Sequence, residues 1–189
     1  MKNKDFYDIV KELIEFGRYR YQRDYSKGYK DTDLVLYQKY TYEDACRLLN
    51  WDKNLSSVMN GYFYDKKTNT FPVFINYDKS DDISDTTKYE DRFLDSSRLI
   101  AISKSGRKIE SEDVKNFIYA KERGISVELF VRKNKDDKIS KEFYYLGTMS
   151  ATGKLQQVVM ANTNKTAVEI EWQLDTPVRE DIYEYIISE

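Results

Sequence analysis

Histidine is absent from the 189 residues, and cysteine occurs once, as Cys46. Without histidine the chain cannot run Ser-His-Asp or Cys-His catalysis, ligate zinc through imidazole, or act as a histidine-dependent nuclease. A single cysteine excludes an intrachain disulfide and a cysteine-cluster zinc site, and it suits a reducing cytoplasm. Two prolines and seven glycines are too few for collagen-like or linker-like sequence. No apolar run approaches the roughly 18 residues of a membrane span, so no membrane contact is expected. The opening Met1-Lys2-Asn3-Lys4-Asp5 leads into amphipathic sequence rather than a signal peptide. Charge of one sign is also lacking, since 31 basic and 33 acidic residues leave −2. Any anion site must therefore be a local patch and not a bulk field.

What is present in quantity is aromatic: 17 tyrosines, nine phenylalanines and two tryptophans. That load rules out a largely disordered chain. Phe6, Ile9, Val10, Leu13 and Ile14 recur at helical spacing, which predicts an amphipathic helix over 5–23 with a basic, aromatic second half. Residues 24–34 read as a linker. Thr41, with Asp44 three residues on, predicts the capped start of a second helix whose face is Ala45, Leu48 and Leu49, with Trp51 packed at its end.

From residue 58 the period becomes two. Tyr62–Asp65 and Phe71–Tyr77 flank a polar stretch and predict a hairpin, with Pro72 at a strand start or on an edge. Residues 98–104 read as a mostly buried strand. Ser111 is the expected cap of a helix lined by Val114, Phe117, Ile118 and Ala120 and ending near Gly124. Alternation predicts strands at 125–132, 142–151, 155–161 and 168–174, the middle two joined by a turn at Thr152-Gly153-Lys154. Thr176-Pro177 opens a last helix with Val178, Ile182, Tyr185 and Ile186 facing inward. The sum is an α+β chain: two N-terminal helices, then a twisted antiparallel sheet or open β-barrel with flanking helices.

Little in the chain points to catalysis. There is no phosphate loop of the type GxxxxGK followed by Ser or Thr. Asp81-Asp82, Asp85 and Glu90-Asp91 lack EF-hand spacing and read as a solvated acidic loop. Glu110 and Glu112-Asp113-Val114-Lys115 echo nuclease spacing, but they fall at a helix start, where acids balance the dipole without any metal. No metal and no cofactor is expected.

The unusual stretch runs from Phe74 to Lys108. Residues 78–95 hold seven acids against three bases, whereas 98–108 hold Arg98, Lys104, Arg107 and Lys108 and no acid. An acidic, aromatic wall next to a basic strip fits a nucleotide site, with cations on phosphates, rings stacking a base and a carboxylate accepting from a base amino group. The plainer alternative makes Tyr77, Tyr89 and Phe93 core or rim aromatics and Asp91-Arg92 a surface ion pair worth little.

The string Phe74-Ile75-Asn76-Tyr77-Asp78-Lys79, then Thr86-Thr87-Lys88-Tyr89-Glu90-Asp91-Arg92-Phe93, then Ser103-Lys104-Ser105-Gly106-Arg107, resembles the C-terminal module of type IV restriction enzymes of the SauUSI kind. The resemblance extends from about Leu36 to Ile186 and includes the strand Phe143–Thr148. It implies an SRA-like or PUA-like barrel that recognises 5-methylcytosine, or 5-hydroxymethylcytosine, by base flipping in methylated double-stranded DNA. It further implies a helicase motor and a phospholipase-D-type nuclease elsewhere in a parent chain. On that reading the sequence is a non-enzymatic, cytoplasmic fragment of a longer enzyme, with residues 1–55 a helical connector and 56–189 the reader.

A flipped base exposes its Watson–Crick edge. The expected base pocket is Tyr77, Tyr89 and Phe93 as walls, with Glu90 or Asp91 accepting from the cytosine amino group. Lys79, Ser103, Lys104, Ser105 and Arg107 are the expected phosphate contacts. Lys66, Lys67, Lys133, Lys135 and Lys138 would brace the duplex further out. The competing reading is a regulatory or docking module that contacts the motor or dimerises, without base-specific recognition. A metal-dependent nuclease would need three converging carboxylates.

Overall fold

The computed structural model describes residues 4–24, 28–77, 91–133, 141–160 and 163–188. Its elements in chain order are α1 (Lys4–Asp24), β1 (Lys39–Tyr40), α2 (Tyr42–Leu48), β2 (Thr70–Asn76), β3 (Arg92–Asp95), β4 (Arg98–Ile102), α3 (Glu112–Ile118), β5 (Ser126–Arg132), β6 (Phe143–Val159), β7 (Thr166–Leu174) and α4 (Glu180–Ile187). Helix α2 starts where the capping pair places it. Thr41 Oγ1 accepts from the Asp44 N–H at 3.2 Å, and the Asp44 carboxylate accepts from the Thr41 N–H at 3.0 Å.

The strands form one seven-stranded sheet in the order β2-β5-β6-β7-β4-β3, with β1 added alongside β6. Every pairing is antiparallel except β2 with β5, which run parallel. An all-antiparallel sheet is therefore not what forms. The crossover from β2 to β5 carries β3, β4 and α3, long enough to return the chain in the same direction. The predicted hairpin before β2 is reduced to two antiparallel bridges, Tyr62 to Val73 and Asp65 to Thr70.

One further expectation is corrected. Thr152-Gly153-Lys154 does not reverse the chain: β6 continues through it, and the register against β7 shifts between Ala151 and Leu155. Gly153 supplies the positive φ of +90° that such a bulge can use as readily as a turn can. The result is a 17-residue strand whose first half serves β5 and β1 and whose pairing with β7 begins at Met149.

Period-two alternation sends side chains to both faces, and each face has its own core. Phe71, Val73 and Ile75 of β2, Leu129 and Val131 of β5, and Ile170 and Trp172 of β7 point to one face. Helices α3 and α4 cover it through Val114, Phe117, Ile182 and Ile186. Phe71 and Phe117 stack there with ring centroids 4.1 Å apart, and Trp172 meets Phe117 edge-on at 5.2 Å. On the other face Phe74, Phe130, Phe143 and Tyr145 pack against Leu34, Tyr40, Cys46, Leu49 and Trp51. Of the residues expected to face inward from α4, Val178, Ile182 and Ile186 are buried, but Tyr185 is exposed. Ser111 precedes α3 without capping it; its Oγ instead accepts from the Lys108 N–H at 3.0 Å.

The segment before β1 is fixed by polar contacts as well. Glu128 is fully buried, and its carboxylate accepts from Tyr145 at 2.5 Å and Ser126 at 2.6 Å. Burial drives the Glu128 pKa up against these bonds. Nearby, Lys30 donates to Thr148 at 2.6 Å and pairs with Asp175. Gly147, at φ +94°, leaves the room: a Cβ there would lie 3.1 Å from Leu36 and 3.3 Å from Tyr29. Truncating Phe71 to alanine should cost about 3–5 kcal/mol, the usual range for a buried aromatic. Urea denaturation checks this, and a loss below ~1 kcal/mol would show that the stack does not bear on the core.

Candidate functional site

Strands β2 and β4 are separated by three strands along the sheet, yet they face each other across a cleft of about 350 Å³. The sheet is thus curled into an open barrel, and the cleft is its gap. Val73, Phe74 and Ile75 form one wall with Asn60, Gly61 and Tyr62; Asp91 and Ala101 to Ser105 form the other.

Two hydrogen bonds cross the gap. The Lys104 N–H donates to the Tyr62 hydroxyl at 3.0 Å, and Lys104 Nζ donates to the Tyr62 carbonyl at 2.8 Å. The ammonium also lies 4.4 Å from the Tyr62 ring centroid, a cation–π distance. Behind this pair, Asp113 accepts from the Tyr62 hydroxyl at 2.9 Å and from Arg107 Nε at 2.6 Å. Burial lowers the Lys104 pKa, and the neighbouring Arg107 charge lowers it further. Burial opposes ionisation of Asp113, but the bonds from Arg107 and Tyr62 outweigh it and hold that carboxyl below its ordinary range. Burial, against a backbone bond from Lys104, raises the Tyr62 phenol.

Asp91 enters the cleft from the residue before β3. Its Oδ1 accepts from the Ile102 N–H at 2.8 Å, which fixes the carboxylate against the end of β4. Chemically the cleft offers an anchored acceptor, a partly desolvated cation and an aromatic ring around an apolar floor.

The residues singled out from the sequence fall into three groups. Asp91, Ser103, Lys104 and Ser105 line the cleft. Tyr77, Phe93 and Arg107 are described but are not among its lining residues. Tyr77 is buried, its hydroxyl accepts from the Phe93 N–H at 3.3 Å, and its ring lies 5.6 Å from Phe93, which in turn meets Tyr183 of α4. Arg107 is paired with Asp113. Lys79, Tyr89 and Glu90 lie outside the described residues, as do Lys135 and Lys138. Ser103 is buried, with its hydroxyl accepting from the Val168 N–H at 2.9 Å and donating to the Lys104 carbonyl at 3.2 Å. Lys67 pairs with Asp52 at 2.6 Å, and Lys133 donates to Ser188 at 2.6 Å.

Sequence reasoning did not single out Asn60 and Tyr62. Their place in the cleft depends on the meeting of Tyr62 with Lys104, 42 residues away, and no local pattern announces it. Among the described residues no group of three or more His, Cys, Asp or Glu converges as a metal site, and no helix is long and apolar enough to cross a membrane.

Because the folded pKa of Asp113 is depressed, its stabilising contribution is present above the unfolded carboxylate value of about 3.9 and fades as pH falls through the lower folded value. Asp113→Asn should therefore destabilise the protein at neutral pH, and the difference from the unsubstituted chain should close progressively on acidification below about pH 4. Thermal melts of both proteins across that range check the sign.

Comparison with curated protein sequences finds no match. Among solved structures, the SUVH5 SRA domain in complex with hemi-methylated CG DNA is similar at a TM-score of 0.50 and 13% identity, covering 78% of this chain and 92% of that one. KRYPTONITE in complex with mCHG DNA and SAH is similar at 0.50 and 10% identity, covering 95% of this chain but 40% of that longer one. These likenesses show the fold, which is α+β and SRA-like. By sequence, residues 34–186 match the family described as a domain of unknown function, DUF3427, and the chain belongs to that family.

Proposed function

We propose that the protein recognises 5-methylcytosine in double-stranded DNA by taking the modified base out of the stack into the cleft. The observation that carries the reading is the Asp91 carboxylate anchored inside the gap of an SRA-like barrel, in a cleft whose lining also holds Tyr62 and Lys104. The SUVH5 SRA domain that shares this fold is in complex with hemi-methylated DNA, which supports the same class of ligand here.

In this reading the Asp91 carboxylate accepts from the exocyclic amino group of cytosine, a donor that thymine lacks. Val73 and Ile75 supply apolar surface for the methyl group. A methyl contact alone discriminates by only about 1–3 kcal/mol, so base identity rests on the carboxylate and the modification on the fit of the floor. Lys104 and Ser105, at the mouth, would meet the phosphate that swings with the flipped nucleotide. Arg107, paired with Asp113 behind them, holds the mouth in shape. Glu90, Tyr89 and Lys79 belong to the same proposal through the resemblance described above.

The finer reading follows the same resemblance. The module is the specificity element of a modification-dependent restriction endonuclease, itself without catalytic activity, acting beside a helicase motor and a nuclease in the parent chain. The absence of histidine and of a phosphate loop from this sequence supports that division of labour.

Fluorescence anisotropy with matched duplexes tests the proposal. Methylated duplex should bind more tightly than unmodified, and Asp91→Ala should weaken methylated binding by about 5- to 150-fold, the equivalent of one good base contact. Equal binding of the two duplexes by the unsubstituted chain would overturn it. Among the described residues few cations line the cleft, so log Kd should change with log salt by only about two to four units per decade, corresponding to a similar number of phosphate contacts. A slope near ten would mean that bulk charge, not the cleft, holds the DNA.

A further inference from the structure

Helix α1 contributes nothing to the cleft lining and precedes the family-matched residues 34–186. It is 21 residues long, or about 32 Å at the helical rise. Its large apolar side chains face water: Ile9 is 56% exposed, Leu13 64% and Phe16 62%. At its far end the Tyr21 hydroxyl donates to Asp33 at 2.6 Å, which ties the helix to the segment leading into β1. A helix of this length rarely stands by itself in water, because most helical stability in proteins comes from packing an apolar face. Gly17, inside the helix, lowers its intrinsic stability further. Nothing lies within 4 Å of where a Gly17 Cβ would stand, so that face offers a place for close approach.

We propose that α1 is a self-association surface, pairing antiparallel with α1 of a second copy about a two-fold axis near Leu13. Charge selects both the partner and the direction. Residues 4–15 carry Asp5, Asp8, Glu12 and Glu15 against Lys4 and Lys11, a net −2, while 16–24 carry Arg18, Arg20 and Arg23 against Asp24, a net +2. A parallel pair sets acidic half on acidic half and basic on basic. An antiparallel pair sets each acidic half on the basic half of its mate, within the roughly 8 Å over which such charges are felt. The same operation brings Leu13 onto Leu13, Ile9 alongside Gly17, and Val10 alongside Phe16, so large and small side chains interdigitate. A two-fold interface of this kind closes at two copies.

The proposal is independent of DNA recognition and fails separately from it. Sedimentation equilibrium of this chain over micromolar concentrations should show the mass doubling. The double variant Leu13→Glu/Phe16→Glu should remain at the single mass while keeping the thermal midpoint of the sheet. Under mild oxidation Leu13→Cys should cross-link across the axis, and Phe6→Cys, held far from its copy, should not. Cross-linking of both would overturn the antiparallel arrangement. A single mass at all concentrations, or a dimer that survives the double substitution, would overturn the proposal outright. So would binding of a monomeric chain to phosphatidylserine vesicles that Leu13→Glu abolishes, since α1 would then be a membrane-surface helix.

Discussion

The open barrel is held at its gap by Lys104 and Tyr62. One residue closes onto the other through a backbone N–H, a side-chain ammonium and a ring face at once. Each contact is modest by itself, since a typical hydrogen bond nets about 0.5–1.5 kcal/mol. Their effect is geometric. They keep β2 and the end of β4 at a fixed separation, and the cleft between them owes its width to that clasp. Asp113 and Arg107 stand behind it and set the orientation of the Tyr62 hydroxyl, so four residues from three parts of the chain act as one strut.

The rest of the architecture supplies the rigidity that the strut needs. A sheet with packed side chains on both faces cannot flex without disturbing two cores. Here α3 and α4 cover one face and the α2 segment covers the other. The long strand β6 crosses the whole assembly, and its bulge lets it serve one set of neighbours before Ala151 and continue along β7 after Leu155. Buried Glu128 would be a hazard in an apolar layer, but Tyr145 and Ser126 satisfy it, and the Tyr145 ring meets Tyr29 edge-on at 6.0 Å.

Much of this was legible from residue order, for reasons that are local. The capping box at Thr41 and Asp44, the alternation in β5 and β7, and the i, i+4 spacing in α1 all express contacts between near neighbours. The misreadings come from positions where local chemistry is degenerate. Glycine at Gly153 serves a bulge as well as a turn. Tyr185 shares its helix with inward-facing Ile182 and Ile186, yet an exposed tyrosine costs little. The parallel pairing of β2 with β5 leaves no mark in either strand, because it is decided by the crossover between them. In the cleft, the Asp91 to Ser105 wall was readable as a contrast of acid and base along the chain. The Tyr62 wall was not, since its partner lies 42 residues away.

That long-range construction has a bearing on how the hollow comes into being. Neither hairpin nor helix contains it. It exists only once residues 70–76 have joined 126–132 and 98–102 have joined 169–173, so it belongs to the assembled sheet and is lost when either pairing opens. Whatever settles there binds the finished protein and not its unravelled forms, and by mass action it must steady the whole sheet rather than a single loop.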